Sequence, residues 1–199
     1  MTRPVRSRDR SILAAHARRA LAPALLVTVL SACATSPPTR FYELVPIAGE
    51  DVGSPIAVRV DAVTIPASHD RPQIVTAAGG PARALAEFDR WIEPLDEGIQ
   101  RVLALDLAAR LGEDRVPRGM QRAEPSLALF VRFERIAFRP GGTSSADVAL
   151  TFERVGDPWT VHATLEAETG PAAADVPDAA SRMLADLADL IAAEVAGAG

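Results

Sequence analysis

The chain has 199 residues, of which 21 are basic and 26 acidic, with a single cysteine. That length makes one ordinary domain able to bury a sizeable core, and one cysteine excludes an internal disulfide framework. The acidic balance argues against nucleic acid as a partner and against polybasic attachment to anionic lipid.

At the N-terminus, Arg3, Arg6, Arg8, Arg10, Arg18 and Arg19 precede an apolar run over residues 20–30. The run falls well short of the roughly 20 apolar residues that span a bilayer. A basic segment, a short apolar stretch and a small-residue cut site describe a secretion signal. The stretch ends in Leu30-Ser31-Ala32-Cys33, which looks like a bacterial lipobox. A thiol is needed there as the nucleophile that takes up diacylglycerol, and small residues before it let the peptidase reach the backbone. The expectation is a lipoprotein signal peptide over 1–32, cleaved between Ala32 and Cys33, with diacylglycerol and an N-acyl chain on Cys33. A plain signal peptide with a coincidental cysteine is the competing reading. At about 0.8 kcal/mol per buried methylene, two or more chains hold a protein firmly to a membrane. Six of the basic residues and one acid precede Cys33, so the remaining 167 residues carry 15 basic and 25 acidic side chains, a net charge of −10.

Residues 33–40 read as an acylated tether, because Pro37 and Pro38 beside Ser36 and Thr39 stiffen the chain and give it little to bury. Residues 41–199 form the domain. Phe41 to Val45 reads as a first strand stopped by Pro46. Ile56, Val58, Val60 and Ala62 alternate with Ala57, Arg59, Asp61 and Val63 and predict a second strand ending near Pro66 with the first four facing inward. The loop over 67–72 holds His69, Asp70 and Arg71. Residues 73–77 and 82–88 flank Gly79-Gly80, a hairpin signal. Glu93-Pro94 opens a helix, since the missing N–H of proline costs nothing at the first helical position. Leu95, Ile99, Val102, Leu103 and Leu107 recur at helical spacing up to Gly112. Asp106 interrupts that stripe, and Arg110 four residues on suits a pair at the helix edge.

A charged connector over 112–125 leads to a long strand reaching Phe138, a wide loop at 140–145, and a strand whose inward face is Val148, Leu150 and Phe152. Gly156-Asp157-Pro158 turns the chain into a last strand, with Trp159, Val161, Ala163 and Leu165 inward. After a linker at 170–177, Met183, Leu184, Leu187, Leu190, Ile191 and Val195 make a terminal amphipathic helix. The fold class expected is α+β: a single two-layer domain, a largely antiparallel sheet with two amphipathic helices packed on it.

Little catalytic chemistry is legible. His69 and His162 lie on unrelated elements without ligand spacing, so no metal is expected, and no phosphate or dinucleotide fingerprint occurs. His69-Asp70-Arg71 is the one polar cluster of interest, and a surface loop explains it. No catalytic residue is assigned and no cofactor is expected beyond the acyl chains on Cys33.

Several stretches together resemble the PqiC-type (YmbA-like) ABC-transport auxiliary lipoproteins. They are Cys33 with the nearby Arg40-Phe41-Tyr42-Glu43-Leu44; Ile65-Pro66 followed by Asp70-Arg71-Pro72-Gln73-Ile74-Val75; and Glu87-Phe88-Asp89-Arg90-Trp91-Ile92-Glu93-Pro94-Leu95. The chain departs from that pattern at Ala67-Ser68-His69, where an aromatic residue is expected. The resemblance implies a non-enzymatic accessory of a system built from an ABC permease, its ATPase and an MCE-domain protein that moves lipids across the periplasm. It also implies docking to that system, with a homo-oligomeric ring as one arrangement. Ala34 after the cysteine, where Asp would retain the protein at the inner membrane, points to the outer membrane facing the periplasm. The 67–72 loop with His69, Asp70 and Arg71, and the 87–95 segment with Phe88 and Trp91, are the candidate partner contacts. An aromatic ringed by charges suits an interface centre, whereas a staple-like core contact at the helix start is the plainer role for Trp91. A pilot-type lipoprotein of another assembly, or a lipid-anchored hydrolase, are the alternatives.

Overall fold

In the computed structural model, residues 37–117, 126–154 and 157–197 are described. The signal peptide, Cys33, most of the tether, part of the 112–125 connector and Gly156 lie outside them. Residues Thr39–Gly199 form one compact unit. Its elements are β1 (Arg40–Tyr42), β2 (Ala57–Thr64), β3 (Gln73–Ala77), β4 (Arg83–Trp91), α1 (Leu95–Leu111), β5 (Ser126–Ala137), β6 (Thr143–Glu153), β7 (Trp159–Glu168) and α2 (Val176–Gly197).

The class is α+β, but the strands divide between two sheets, ordered β1-β4-β3 and β2-β5-β6-β7. β5, β6 and β7 form the antiparallel meander that their turns imply, while β2 joins β5 in parallel. A parallel pair needs a long crossover, and here the crossover contains both the β3–β4 hairpin and α1. That excursion separates the small sheet from the large one, an arrangement that strand-by-strand reading does not reveal. Gly79 and Gly80, at φ 90° and 56°, turn the hairpin in the left-handed region that favours glycine.

Both helices pack on the large sheet and on each other, α1 nearer β2 and α2 nearer β7. Leu103 and Leu107 of α1 and Leu187 and Ile191 of α2 are fully buried with Val58, Leu127, Leu129, Leu150 and Phe152 of the sheet. On β7 the expected alternation holds: Thr160, His162, Thr164 and Glu166 are exposed, and Leu165 is buried. In β2 the expected inward set changes. The register slips at Asp61, so Val63 reaches the core in place of Ala62, and Gln100 of α1 donates to the Val60 carbonyl at 3.0 Å, satisfying backbone that the bulge leaves unpaired.

Helix α1 begins one residue later than expected, with Pro94 as its N-cap and Leu95 as its first helical residue, and Asp96 and Glu97 in the first turn, where carboxylates complement the helix dipole. It ends at Gly112, whose φ of 101° no side-chain-bearing residue adopts readily. Trp91, expected just ahead of the helix, is the last residue of β4.

Candidate functional site

The small sheet and the loop before it carry all the contact candidates placed within the described residues. The loop is a tight one: the His69 N–H donates to the Pro66 carbonyl at 2.8 Å, and the Arg71 N–H to the His69 carbonyl at 2.9 Å. The Trp91 N–H donates to the Pro72 carbonyl at 2.7 Å, tying the end of β4 to the end of the loop. Phe138 completes the junction. The His69 ring meets it edge-on at 5.9 Å and the Trp91 ring lies tilted against it at 6.4 Å. The two stretches singled out in the sequence are thus brought together, through a phenylalanine from the end of β5 that carried no sequence signal.

Burial then sorts the candidates. His69 and Trp91 are 3% and 5% exposed, so neither side chain faces a partner, and Trp91 takes the core role. Asp70 and Arg71 are exposed, and Phe88 is half-buried. Two residues beyond the candidate set are more available: Phe41 is 61% and Ile92 63% exposed. Parallel pairing sets Phe41 opposite Arg90 and Tyr42 opposite Trp91, and the Ile92 N–H donates to the Tyr42 carbonyl at 2.9 Å. Side chains alternate along a strand, so Phe41 shares the outer face with Arg90, while Tyr42, Asp89 and Trp91 turn inward. On that inner side Asp89 accepts from Arg40 Nε at 2.7 Å and from the Tyr42 hydroxyl at 3.1 Å, which locks the short β1 onto β4.

His69 is neutral in this setting. Burial, then the charges of Arg83 and Arg71, push its pKa down to about 4. Its Nδ1 lies 3.0 Å from the Ser68 hydroxyl, and its Nε2 has no hydrogen-bond partner. Among the described residues no group of three or more His, Cys, Asp or Glu gathers at metal-binding distance, and no helix is long and apolar enough to cross a membrane.

A second polar constellation lies between the helices, where the sequence suggested only an edge pair. Asp106 and Arg110 are 1% and 2% exposed and do not meet side chain to side chain. Arg110 instead reaches Asp189 of α2 at 2.5 Å and donates to the carbonyls of Ile47, Asp106 and Ala185. Gly49 packs so closely that a Cβ there would stand 2.3 Å from the guanidinium carbon. Asp106 accepts from the Ile47 N–H at 2.8 Å with one oxygen, and its other oxygen has no partner. Burial raises its pKa to about 6, against the lowering effects of the Ile47 hydrogen bond and Arg110. This cluster clamps α1, α2 and the segment after β1 together. The available signal was an acid inside an apolar stripe.

Comparison with known proteins gives this geometry its context. A crystal structure of an uncharacterized protein superposes with a TM-score of 0.67 at 17% identity, covering 80% of this chain and 99% of that one. Protein XCC0632 of Xanthomonas campestris, of the DUF330 family, superposes at 0.61 and 11% identity, covering 80% and 94%. Likeness at these identities establishes a shared fold. No curated protein matches the sequence. The profile of the ABC-type transport auxiliary lipoprotein component matches residues 43–195, which is the whole of the folded domain apart from β1 and the last turn of α2. The chain belongs to the ABC-type transport auxiliary lipoprotein family.

Proposed function

We propose that this protein is the acyl-anchored, non-catalytic docking component of an MCE-type ABC transport system that moves lipids across the cell envelope. The family match over residues 43–195 carries the reading, because an auxiliary component of a transport system acts by associating with the parts that transport. Membership supports the lipoprotein character, and Leu30-Ser31-Ala32-Cys33 supplies the acylation site. Six residues separate Cys33 from β1, which at roughly 3 Å each hold the domain within about 20 Å of the membrane. Ala34 after the cysteine favours the outer membrane.

The outer face of the small sheet is the docking surface. Phe41 and Ile92 are its apolar centre, half-buried Phe88 flanks them, and Asp70, Arg71 and Glu87 supply a charged rim. This keeps the 67–72 and 87–95 stretches as the contact region, with their exposed residues in the roles first considered for His69 and Trp91. A homo-oligomeric ring would repeat that surface around the end of the conduit.

Co-purification from detergent-solubilised envelopes tests the reading. Wild-type lipoprotein is expected to bring down the MCE protein or its permease, and F41D/I92D is expected to lose them while remaining folded and membrane-bound. Capture of no MCE or permease component by the wild type overturns the proposal.

A further inference from the structure

We propose that the recess between the loop preceding β3 and the turn joining β5 to β6 binds a phosphate-bearing anion, either the headgroup of an anionic phospholipid or free phosphate. The recess has a volume of about 420 Å³ and is lined by Ser68, His69, Arg83, Arg135, Arg139 and Ser145, with the carboxylates of Glu134 and Asp147 also in its wall. A neighbouring hollow of about 380 Å³ is also lined by Arg83 and Arg139.

Several of the described arginines have no carboxylate partner, and two of them share this recess. Arg40, Arg59, Arg101, Arg110, Arg115 and Arg135 each pair with a carboxylate. Arg83 and Arg139 have no carboxylate partner among the described residues. Arg83 donates to the Ala82 carbonyl, and Arg139 to the Thr143 carbonyl and the Ser145 hydroxyl. Where acids outnumber bases, two such guanidinium groups on one recess mark a place where an anion is welcome. A bulge at Glu134 sets Arg135 opposite Asp147, and that carboxylate is occupied by Arg135 at 2.5 Å and by the Thr164 hydroxyl at 2.9 Å. Glu134, at the rim, is the opposing charge that remains.

Guanidinium forks match the geometry of phosphate oxygens, and serine hydroxyls add donors without charge. His69 fits the same ligand. Its buried Nε2 lacks a partner, and the Arg83 and Arg71 charges disfavour its protonation. An anion that neutralises those arginines removes the field opposing the imidazolium, and the proton so gained gives Nε2 a donor role. The recess shares the 67–72 loop with the proposed docking surface, whereas Arg83, Arg139 and Ser145 lie outside that surface, so substitutions at Arg83 and Arg139 test the recess separately from docking.

The test uses intact mature lipoprotein in maltoside micelles, following its two histidines by NMR with increasing inorganic phosphate or with micelles doped with phosphatidylglycerol. Uncharged diacylglycerol is the lipid control. A saturable rise in the His69 pKa, with His162 unmoved, is expected for a phosphate-bearing titrant. A response to inorganic phosphate alone identifies the free ion, a response to phosphatidylglycerol alone a lipid headgroup, and a response to both the phosphate group itself; each supports the site. R83Q and R139Q are each expected to weaken binding by roughly tenfold, as loss of a charge-assisted hydrogen bond does, and E134Q to strengthen it. No saturable response, an equal response to diacylglycerol, or undiminished affinity in R83Q/R139Q overturns the proposal.

Discussion

His69 and Asp106 are buried ionisable groups with opposite preferences, and the stability of the domain should reveal them. Asp106 has a folded pKa of about 6, above its ordinary 3.8, so its contribution is present at low pH and is lost as pH rises through about 6. His69 has a folded pKa of about 4, below its ordinary 6.5, so its contribution is present above pH 6.5 and is lost as pH falls toward 4. Each contribution is on the order of 3 kcal/mol. The two slopes oppose each other between pH 4 and 6.5, and the wild type is expected to show a flat profile there. D106N should unmask the histidine, giving stability that falls with falling pH, and should stabilise the domain at pH 7.5. H69F should unmask the aspartate, giving stability that falls with rising pH. Urea titrations at half-unit pH steps check both, and parallel profiles in wild type and D106N would show that Arg110 keeps Asp106 ionised. Trp91 and its neighbour Ile92 form a sharper contrast. W91A should lose about 3–5 kcal/mol, as buried aromatic truncations do, while I92S should change stability by under about 0.5 kcal/mol, as exposed sites do.

Among the elements, α2 contributes most to the core after the large sheet. Thirteen of its 22 residues are buried, including Leu187 and Ile191 at 0% exposure. L187A is therefore expected to cost about 2–5 kcal/mol of unfolding free energy. A loss below about 0.5 kcal/mol would show that the helix docks only loosely. Its junction with α1 depends on the Arg110–Asp189 contact, and that contact depends on the lack of a side chain at Gly49. G49A should accordingly displace Arg110 and destabilise the domain by more than D189N does. The reason is that a buried guanidinium forced from its partners costs several kcal/mol, whereas Asp189 itself is largely solvated. Thermal unfolding of the two variants side by side measures the order. Elements of the small sheet lie at the other extreme. β1 has three residues and is held chiefly by its pairing with β4 and by the Arg40–Tyr42–Asp89 cluster. D89N should loosen β1 first, read as faster amide exchange at Tyr42 and Ile92 than at Leu129 or Leu150.

For the whole molecule, attachment and docking are separable properties. Labelled palmitate should enter the wild type and not C33S, and a wild-type mature chain that begins elsewhere and carries no label would refute acylation at Cys33. Acylated F41D/I92D should stay in the membrane fraction, because acyl chains, not the sheet face, supply the anchor. The net charge of −10 after residue 32 disfavours broad electrostatic attachment of the domain to an anionic bilayer and leaves only local basic spots such as the Arg83–Arg139 recess for an anionic group.

The linear pattern established most of the elements and the class they belong to. Period-two runs at Leu127–Phe133 and Val148–Phe152, the glycine pair at 79–80, and the Pro94-to-Gly112 span with its apolar stripe each encode a local preference that the fold keeps. Residue order also carried the family, because Ile65-Pro66, Asp70-Arg71-Pro72 and Trp91-Ile92-Glu93-Pro94 are local strings. Pairing between distant strands is not a local property. Nothing near β2 announces that it joins β5 in parallel after a long excursion, or that β1 leaves it to pair with β4. The same holds for burial: His69 sits in a loop of polar residues, yet Phe138, some 69 positions later, closes over it. Arg110 had a nearby acid at helical spacing, but Asp189 was reached instead, since packing α2 against α1 brought a second carboxylate within 2.5 Å and turned Asp106 toward the Ile47 amide. Which side chains remained outside followed from that packing. Trp91 and Ile92 are adjacent in sequence and both apolar, and only the direction in which β4 faces the core put one inside and left the other exposed.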